Sequence, residues 1–201
     1  MCNLFENRTA FSTLLDAFLR VKKPVLKPDR ASAPNLPPLD YIRPTEPAPA
    51  VRAFAGGVEL ASLRWGLISD KTRGAPIINF RSEGRRLATG RCLIPATAFY
   101  EFTGARHPKA RWRFEATHGD FFCFAGLWRA QGEAERFTLL TADAGPDMAP
   151  HHARQPVVLA ERDWAAWLDG AGEGDLLKPS PAGTFTARCD RPMEETPSLF
   201  G

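Results

Sequence analysis

Between residues 51 and 160 the chain alternates short apolar runs with Gly, Pro and polar breaks, and this punctuation commits it to a sheet-based fold. Val58-Glu59-Leu60-Ala61-Ser62-Leu63-Arg64-Trp65 alternates roughly by two and stops at Gly66. Runs at 75–81, 91–102, 112–116, 121–129, 137–141, 155–160 and 185–189 read as further strands. Short strands this closely spaced predict a mainly antiparallel sheet system that can close on itself. Two stretches read as helices. Phe11, Leu14, Leu15, Phe18 and Leu19 recur at helical spacing within 6–22, with Asn7 or Thr9 as cap and Pro24 and Pro28 as stops. Residues 161–168 form the second, halted near Gly170. The proline-rich 24–50 predicts an extended loop wrapped around the domain.

With 201 residues, 44% hydrophobic and 24% charged, the chain is expected to build one core. The domain is expected over 1–190, with 191–201 a frayed tail. No run approaches a membrane span, and Met1 to Asn7 lacks the basic-then-apolar pattern of a signal peptide. Cys2, Cys92, Cys123 and Cys189 show no CxxC pairing, so neither a metal site nor a disulfide framework is expected. A reducing cytoplasm fits, and no cofactor is implied. Charge is unevenly spread. Residues 64–113 hold eleven Lys/Arg against three acids, whereas 114–201 hold seven against fourteen. The basic middle points to a polyanion, or to a solvated face whose charges alternate in space.

Chemistry enters with Met1-Cys2. If Met1 is removed, Cys2 carries an amine and a thiol on adjacent carbons. An α-amine titrates at about 7.7–8.0, so an appreciable fraction is nucleophilic near neutral pH. It condenses with an aldehyde, and the thiol closes onto the imine carbon as a five-membered thiazolidine. Residue 2 also reads simply as a frayed terminus. Asn79, Glu101 and His152 each lie beside the end of an apolar run, where rigid scaffolds present reactive groups. Each has a structural reading too: a turn residue, an outward strand residue, a surface histidine. Glu101 follows a nearly continuous apolar run, so part burial is expected, a setting in which carboxyls serve as acid and base. Histidine is the usual proton carrier near neutral pH.

Taken in order, Met1-Cys2, Asn79-Phe80-Arg81-Ser82-Glu83, Arg91-Cys92-Leu93-Ile94-Pro95-Ala96 with Phe99-Tyr100-Glu101-Phe102, and His152-Ala153-Arg154-Gln155-Pro156 resemble the motifs of the SRAP (SOS response-associated peptidase) family. Arg64-Trp65-Gly66-Leu67 and Pro44-Thr45 fit as well. The resemblance runs from residue 2 to about residue 190. It implies a single α+β domain around a barrel-like antiparallel sheet, with a few peripheral helices. It also implies abasic single-stranded DNA as the partner, crosslinked as a thiazolidine by a monomer working at the nucleoid. Cys2 would be the nucleophile, Asn79 its positioner, and Glu101 with His152 the acid–base pair. Arg81 and Arg154 would hold phosphates. Trp65 would offer a stacking face, although a core aromatic on an alternating strand explains it equally. The family name implies a peptidase activity, most simply removal of Met1 by Cys2 itself, although an ordinary methionine aminopeptidase can do the same, and a Schiff base at that carbon would permit β-elimination and so an AP-lyase activity. Tyr41 stands where the family usually has Asn, and Gln155 where Met is common; both bear on DNA contacts. Phe102 replaces a common Trp, and Phe80 a small residue. Two other readings are an N-terminal-cysteine thiol hydrolase and a non-catalytic single-strand-binding module.

Overall fold

Thirteen strands form among the residues that the computed structural model describes, which are 1–25, 37–69, 74–105 and 107–192. The smaller sheet holds β1 (Phe5–Asn7), β2 (Leu39–Ile42), β7 (Ala98–Thr103), β8 (Ala110–Ala116) and β13 (Phe185–Arg191). Its order is β13-β8-β7-β1-β2. The larger sheet holds β3 (Pro47–Phe54), β4 (Gly57–Trp65), β5 (Asn79–Arg81), β6 (Arg91–Ala96), β9 (Phe122–Gln131), β10 (Ala134–Asp143), β11 (Arg154–Pro156) and β12 (Val158–Leu159). It runs β11-β10-β4-β3-β6-β9-β12, and β9 also pairs with β10, so the sheet curls back on itself. The expected barrel-like, mainly antiparallel architecture with few helices is the observed one.

Both faces of the larger sheet are covered, which explains its near-continuous apolar runs. Cys92, Ile94 and Phe124 point between the sheets, into a cluster with Phe5, Trp65, Phe99, Phe114 and Phe137. Leu93, Val51 and Ala125 point the other way, under α1 (Phe11–Arg20) and α2 (Trp164–Leu168). Arg91 ties that helical side to the sheet. Its guanidinium lies 4.4 Å from the Trp167 ring centroid and donates to the Leu87 and Ala171 carbonyls.

Three expectations needed correcting. The first helix starts at Phe11, because Phe5, Glu6 and Asn7 are buried and pair as a strand with β2 and β7. Asn7 Oδ1 accepts from Thr9 N at 3.1 Å in the turn into the helix, and the N-cap Ala10 has no side-chain cap. Part of the proline-rich stretch is strand. Pro47 and Pro49 fit in β3 because there it pairs with β4 alone; β6 joins at Val51 and Arg52. The expected loop over 26–36 lies outside the described residues, as does 193–201 of the expected tail. The 91–102 run is two strands. The chain leaves the larger sheet after Ala96 and enters the smaller one at Ala98, with Thr97 N bonded to Glu6 O at 2.9 Å. That handover carries Glu101 into the strand beside the N-terminus.

Candidate active site

Residues 1–4 run along β7, held by Tyr100 N donating to Leu4 O at 3.0 Å. The Met1 ammonium lies 3.1 Å from both carboxylate oxygens of Glu101, which is 3% exposed. Asn79 Nδ2 donates to Cys2 O at 2.7 Å, while Asn79 Oδ1 is buried without a partner. Cys2 is fully buried, its Sγ 3.5 Å from Leu4 O. It belongs to the inter-sheet core, so the frayed-terminus reading does not hold. Cys2, Asn79 and Glu101, far apart in sequence, thus meet around one peptide unit.

His152 arrives on the loop between β10 and β11. Arg154 N donates to His152 Nδ1 at 2.8 Å, which assigns the proton of the neutral ring to Nε2. The Arg154 carbonyl lies 3.0 Å from the same nitrogen. The preceding His151 packs 4.3 Å from Trp112, the register partner of Glu101, which draws this loop toward the sheet bearing the carboxylate. Gln155 is buried and fixes the loop from behind, accepting from Gly145 N at 2.6 Å and donating to Ser180 Oγ at 2.9 Å. A Cβ at Gly145 would sit 2.1 Å from Ser180 O, so this approach requires glycine. Gln155 acts as a loop clamp and presents no surface to DNA.

The two expected phosphate ligands diverge. Arg81 is exposed at the end of β5 and makes no ion pair among the described residues. Arg154 is committed internally. Its guanidinium grips both oxygens of Glu83, Asp143 Oδ1 at 2.8 Å and Thr141 O at 2.8 Å. These carboxylates raise its affinity for its proton and, with Thr141, engage both of its terminal nitrogens, so it is no free phosphate ligand. Trp65 is corrected as well. It is 0% exposed, donates to Ile78 O at 2.9 Å and meets Phe5 edge-on at 5.0 Å, so it presents no face to a base. The following Gly66 is at φ 115, with Pro76 Cβ 2.5 Å from where a Cβ would stand, which accounts for Arg64-Trp65-Gly66 as a packing motif.

Two groups escaped the sequence reading. Glu6 is 2% exposed and takes the Tyr100 hydroxyl at 2.7 Å, the Thr97 hydroxyl at 3.3 Å and the Arg113 guanidinium, which bolts β1 to β7 and β8. A cleft of about 450 Å³ opens beside Asn3 and Leu4, lined also by Arg43, Phe102, Lys109 and Arg191. Lys109 lies in the basic segment and Arg43 adjoins Pro44-Thr45, but Arg191 carried no signal. Among the described residues no three His, Cys, Asp or Glu side chains group as metal ligands, and no helix is long and apolar enough to cross a membrane.

Burial, reinforced by the Glu101 charge, pushes the Cys2 thiol up to about 12 from 9.0, and burial also raises Cys92 and Cys123. Below pH 9 these thiols are protonated in folded and unfolded chains alike. Above it the unfolded chain releases protons that the fold retains, so stability falls between about 9 and 12. Denaturant melts at pH 8 and 10.5 should show a lower midpoint at the higher pH. Replacing Cys92 by alanine should flatten that decline.

The profile of the family described as SOS response associated peptidase (SRAP) matches residues 1–188. The chain belongs to the SRAP family. This SRAP chain is 28% identical over 187 residues to abasic site processing protein YoaM of Bacillus subtilis (strain 168), covering 84% of the chain and 79% of YoaM. It is 32% identical over 129 residues to abasic site processing protein YoqW of the same organism, covering 55% of the chain and 57% of YoqW. The SRAP fold is shared with a Bacteroides thetaiotaomicron protein at TM-score 0.74 and 17% identity, covering 94% of this chain and 92% of that one. A Bordetella bronchiseptica protein follows at 0.70 and 23%, covering 94% and 99%.

Proposed function

We propose that this SRAP chain, once Met1 is removed, captures abasic sites in single-stranded DNA as a thiazolidine on Cys2. The observation that carries the proposal is the Met1 ammonium set 3.1 Å from both oxygens of buried Glu101, with the Cys2 carbonyl pinned by Asn79. These contacts support the reading because they hold the chain's first two residues beside a buried carboxylate and the Cys2 thiol, where release of Met1 would free the Cys2 amine. The names of YoaM and YoqW supply the substrate class. In the first step the Cys2 amine attacks the aldehyde of the ring-opened sugar, and water leaves as the imine forms. In the second the Cys2 sulfur bonds to the imine carbon and the thiol proton ends on nitrogen. The thiol proton must be taken up as the C–S bond forms, and we assign that transfer to Glu101, whose charge acts on Cys2. His152, with Nε2 as donor, serves the departing water or the opened sugar. The same imine opens a route to β-elimination, and with it strand cleavage. The Met1–Glu101 contact also favours a second activity, release of Met1 at this site, in keeping with the family's description as a peptidase.

The deciding experiment incubates the protein with abasic single-stranded oligonucleotide, then applies denaturing electrophoresis and intact-mass measurement. A denaturation-resistant adduct on protein lacking Met1 supports the proposal. Adduct on protein retaining Met1 contradicts it, because the amine is then locked in a peptide bond. Peptide turnover without adduct supports a thiol hydrolase, and salt-sensitive binding alone supports a binding module.

The divergence of the two arginines gives a sharper expectation. Arg81→Ala should lower the slope of log affinity against log salt by about 0.7, the share of one single-strand phosphate contact. Arg154→Ala should leave that slope unchanged and cost about 1–3 kcal/mol of stability through its lost charged hydrogen bonds, read from the denaturation midpoint. Equal slopes for wild type and Arg81→Ala would remove Arg81 from the interface.

A further inference from the structure

The cleft beside Asn3 and Leu4 has a wall of one sign. Arg43, Lys109 and Arg191 line it, no carboxylate does, and among the described residues none of the three forms an ion pair. Cations left unpaired around one concavity attract a polyanion. Two aromatic rings stand against these cations, Phe102 inside the cleft and Tyr41 beside Arg43 at its margin. Tyr41 is 41% exposed, with the Arg43 guanidinium 5.6 Å and the Arg111 guanidinium 5.4 Å from its ring centroid. Arg111 is anchored by Asp190 at 2.8 Å, whereas Arg43 is exposed and holds only its backbone in place, through Glu46. Phe102, directly after Glu101, lies within the cleft under Arg191, 5.9 Å from its ring centroid. An exposed ring next to a cation that can swing aside is the pairing that stacks a base and neutralises its phosphate.

We infer that Tyr41 with Arg43, Lys109 and Arg191 forms a docking track for the unpaired strand flanking the lesion, with Tyr41 stacking a base and the three cations holding phosphates. This rests on the reading of Cys2 as the site of DNA capture, since Asn3 and Leu4 join the track to it. Trp65, buried in the core, cannot supply the stacking face; Tyr41, on the surface, can. An acidic peptide would satisfy the cations but would leave Tyr41 without a role.

The test uses fluorescence anisotropy with oligonucleotides in which tetrahydrofuran replaces the abasic sugar. This mimic has no aldehyde and cannot crosslink, so the result is independent of Cys2 chemistry, which is scored separately with a reactive abasic oligonucleotide. Tyr41→Ala should weaken binding about tenfold and Tyr41→Phe should restore it, as expected for one stacked base. Replacing the flanking bases by spacer should weaken wild type by a similar factor and leave Tyr41→Ala no weaker. Lys109→Ala and Arg191→Ala should each lower the salt slope by about 0.7. Wild-type affinity in Tyr41→Ala overturns the inference. So does an equal loss on base-bearing and base-free flanks, or displacement of the oligonucleotide by oligoglutamate as readily as by undamaged single strand. If the reactive oligonucleotide gives no adduct while these binding results hold, the track stands and the Cys2 reading falls.

Discussion

Cys2→Ala is expected to give no denaturation-resistant adduct with abasic single-stranded DNA, the largest effect available to any substitution in this chain. The variant keeps an α-amine after Met1 removal, so it can still form an imine, but it has no sulfur to close the ring. Reversible imine is lost on denaturation; thiazolidine is retained. Cys2 is fully buried in the inter-sheet core, so the change also removes a sulfur from packed surroundings. That costs about 1 kcal/mol, on the scale of one buried methylene, and leaves the chain folded. Circular dichroism should therefore be unchanged while the adduct band disappears. Cys2→Ser separates the two steps. It should yield a product only when borohydride reduces the imine, because a hydroxyl is the weaker nucleophile. A stable, unreduced adduct in Cys2→Ala would show that another nucleophile does the work.

Glu101→Gln should slow adduct formation by about 10²–10⁴-fold, the usual contribution of a positioned acid–base group. The substitution preserves shape and hydrogen-bonding reach but removes the charge that holds the Met1 ammonium before Met1 is released. A second readout distinguishes proton transfer from structural support. Burial is the main cause of the raised Cys2 thiol and the Glu101 charge is the next. Removing a neighbouring negative charge makes ionisation easier, so the Cys2 alkylation midpoint should move down from about 12 in Glu101→Gln. The variant should thus have a more readily ionised thiol and a slower adduct, with unchanged affinity for undamaged single strands. A parallel fall in alkylation and crosslinking would mean that Glu101 only props the site open. Wild-type crosslinking across roughly pH 5–8, the window in which histidine titrates, would pass the acid–base role to His152.

Some of this architecture was legible residue by residue. Val58 to Trp65 could be read as a strand because its alternation matches a sheet with two distinct faces, and β4 occupies nearly those residues. Glu101 could be expected to be buried because apolar residues precede it, and it is 3% exposed. Phe5-Glu6-Asn7 could not be read as a strand. Three residues carry no measurable periodicity, and what holds them is Tyr100, Thr97 and Arg113 closing on Glu6 from distant elements. Arg154 was misread for a related reason. Local sequence shows a positive charge, but whether it faces DNA depends on Glu83 and Asp143, which the β10–β11 pairing brings beside it. Trp65 suits an open sheet face or a covered one, and the second sheet, packed through Phe5, decides for the covered one.

By itself the sequence determined which reactive groups exist, the strand-rich character of the chain and the excess of positive charge in its middle. These follow from side-chain chemistry and short-range periodicity. Tertiary structure alone decided which of those groups meet. It set the N-terminus against Glu101 by sliding β1 beside β7, spent Arg154 on internal carboxylates, buried Trp65, and left Arg43, Lys109 and Arg191 facing one cleft. Burial and charge compensation depend on neighbours drawn from the whole chain, and no local pattern encodes them.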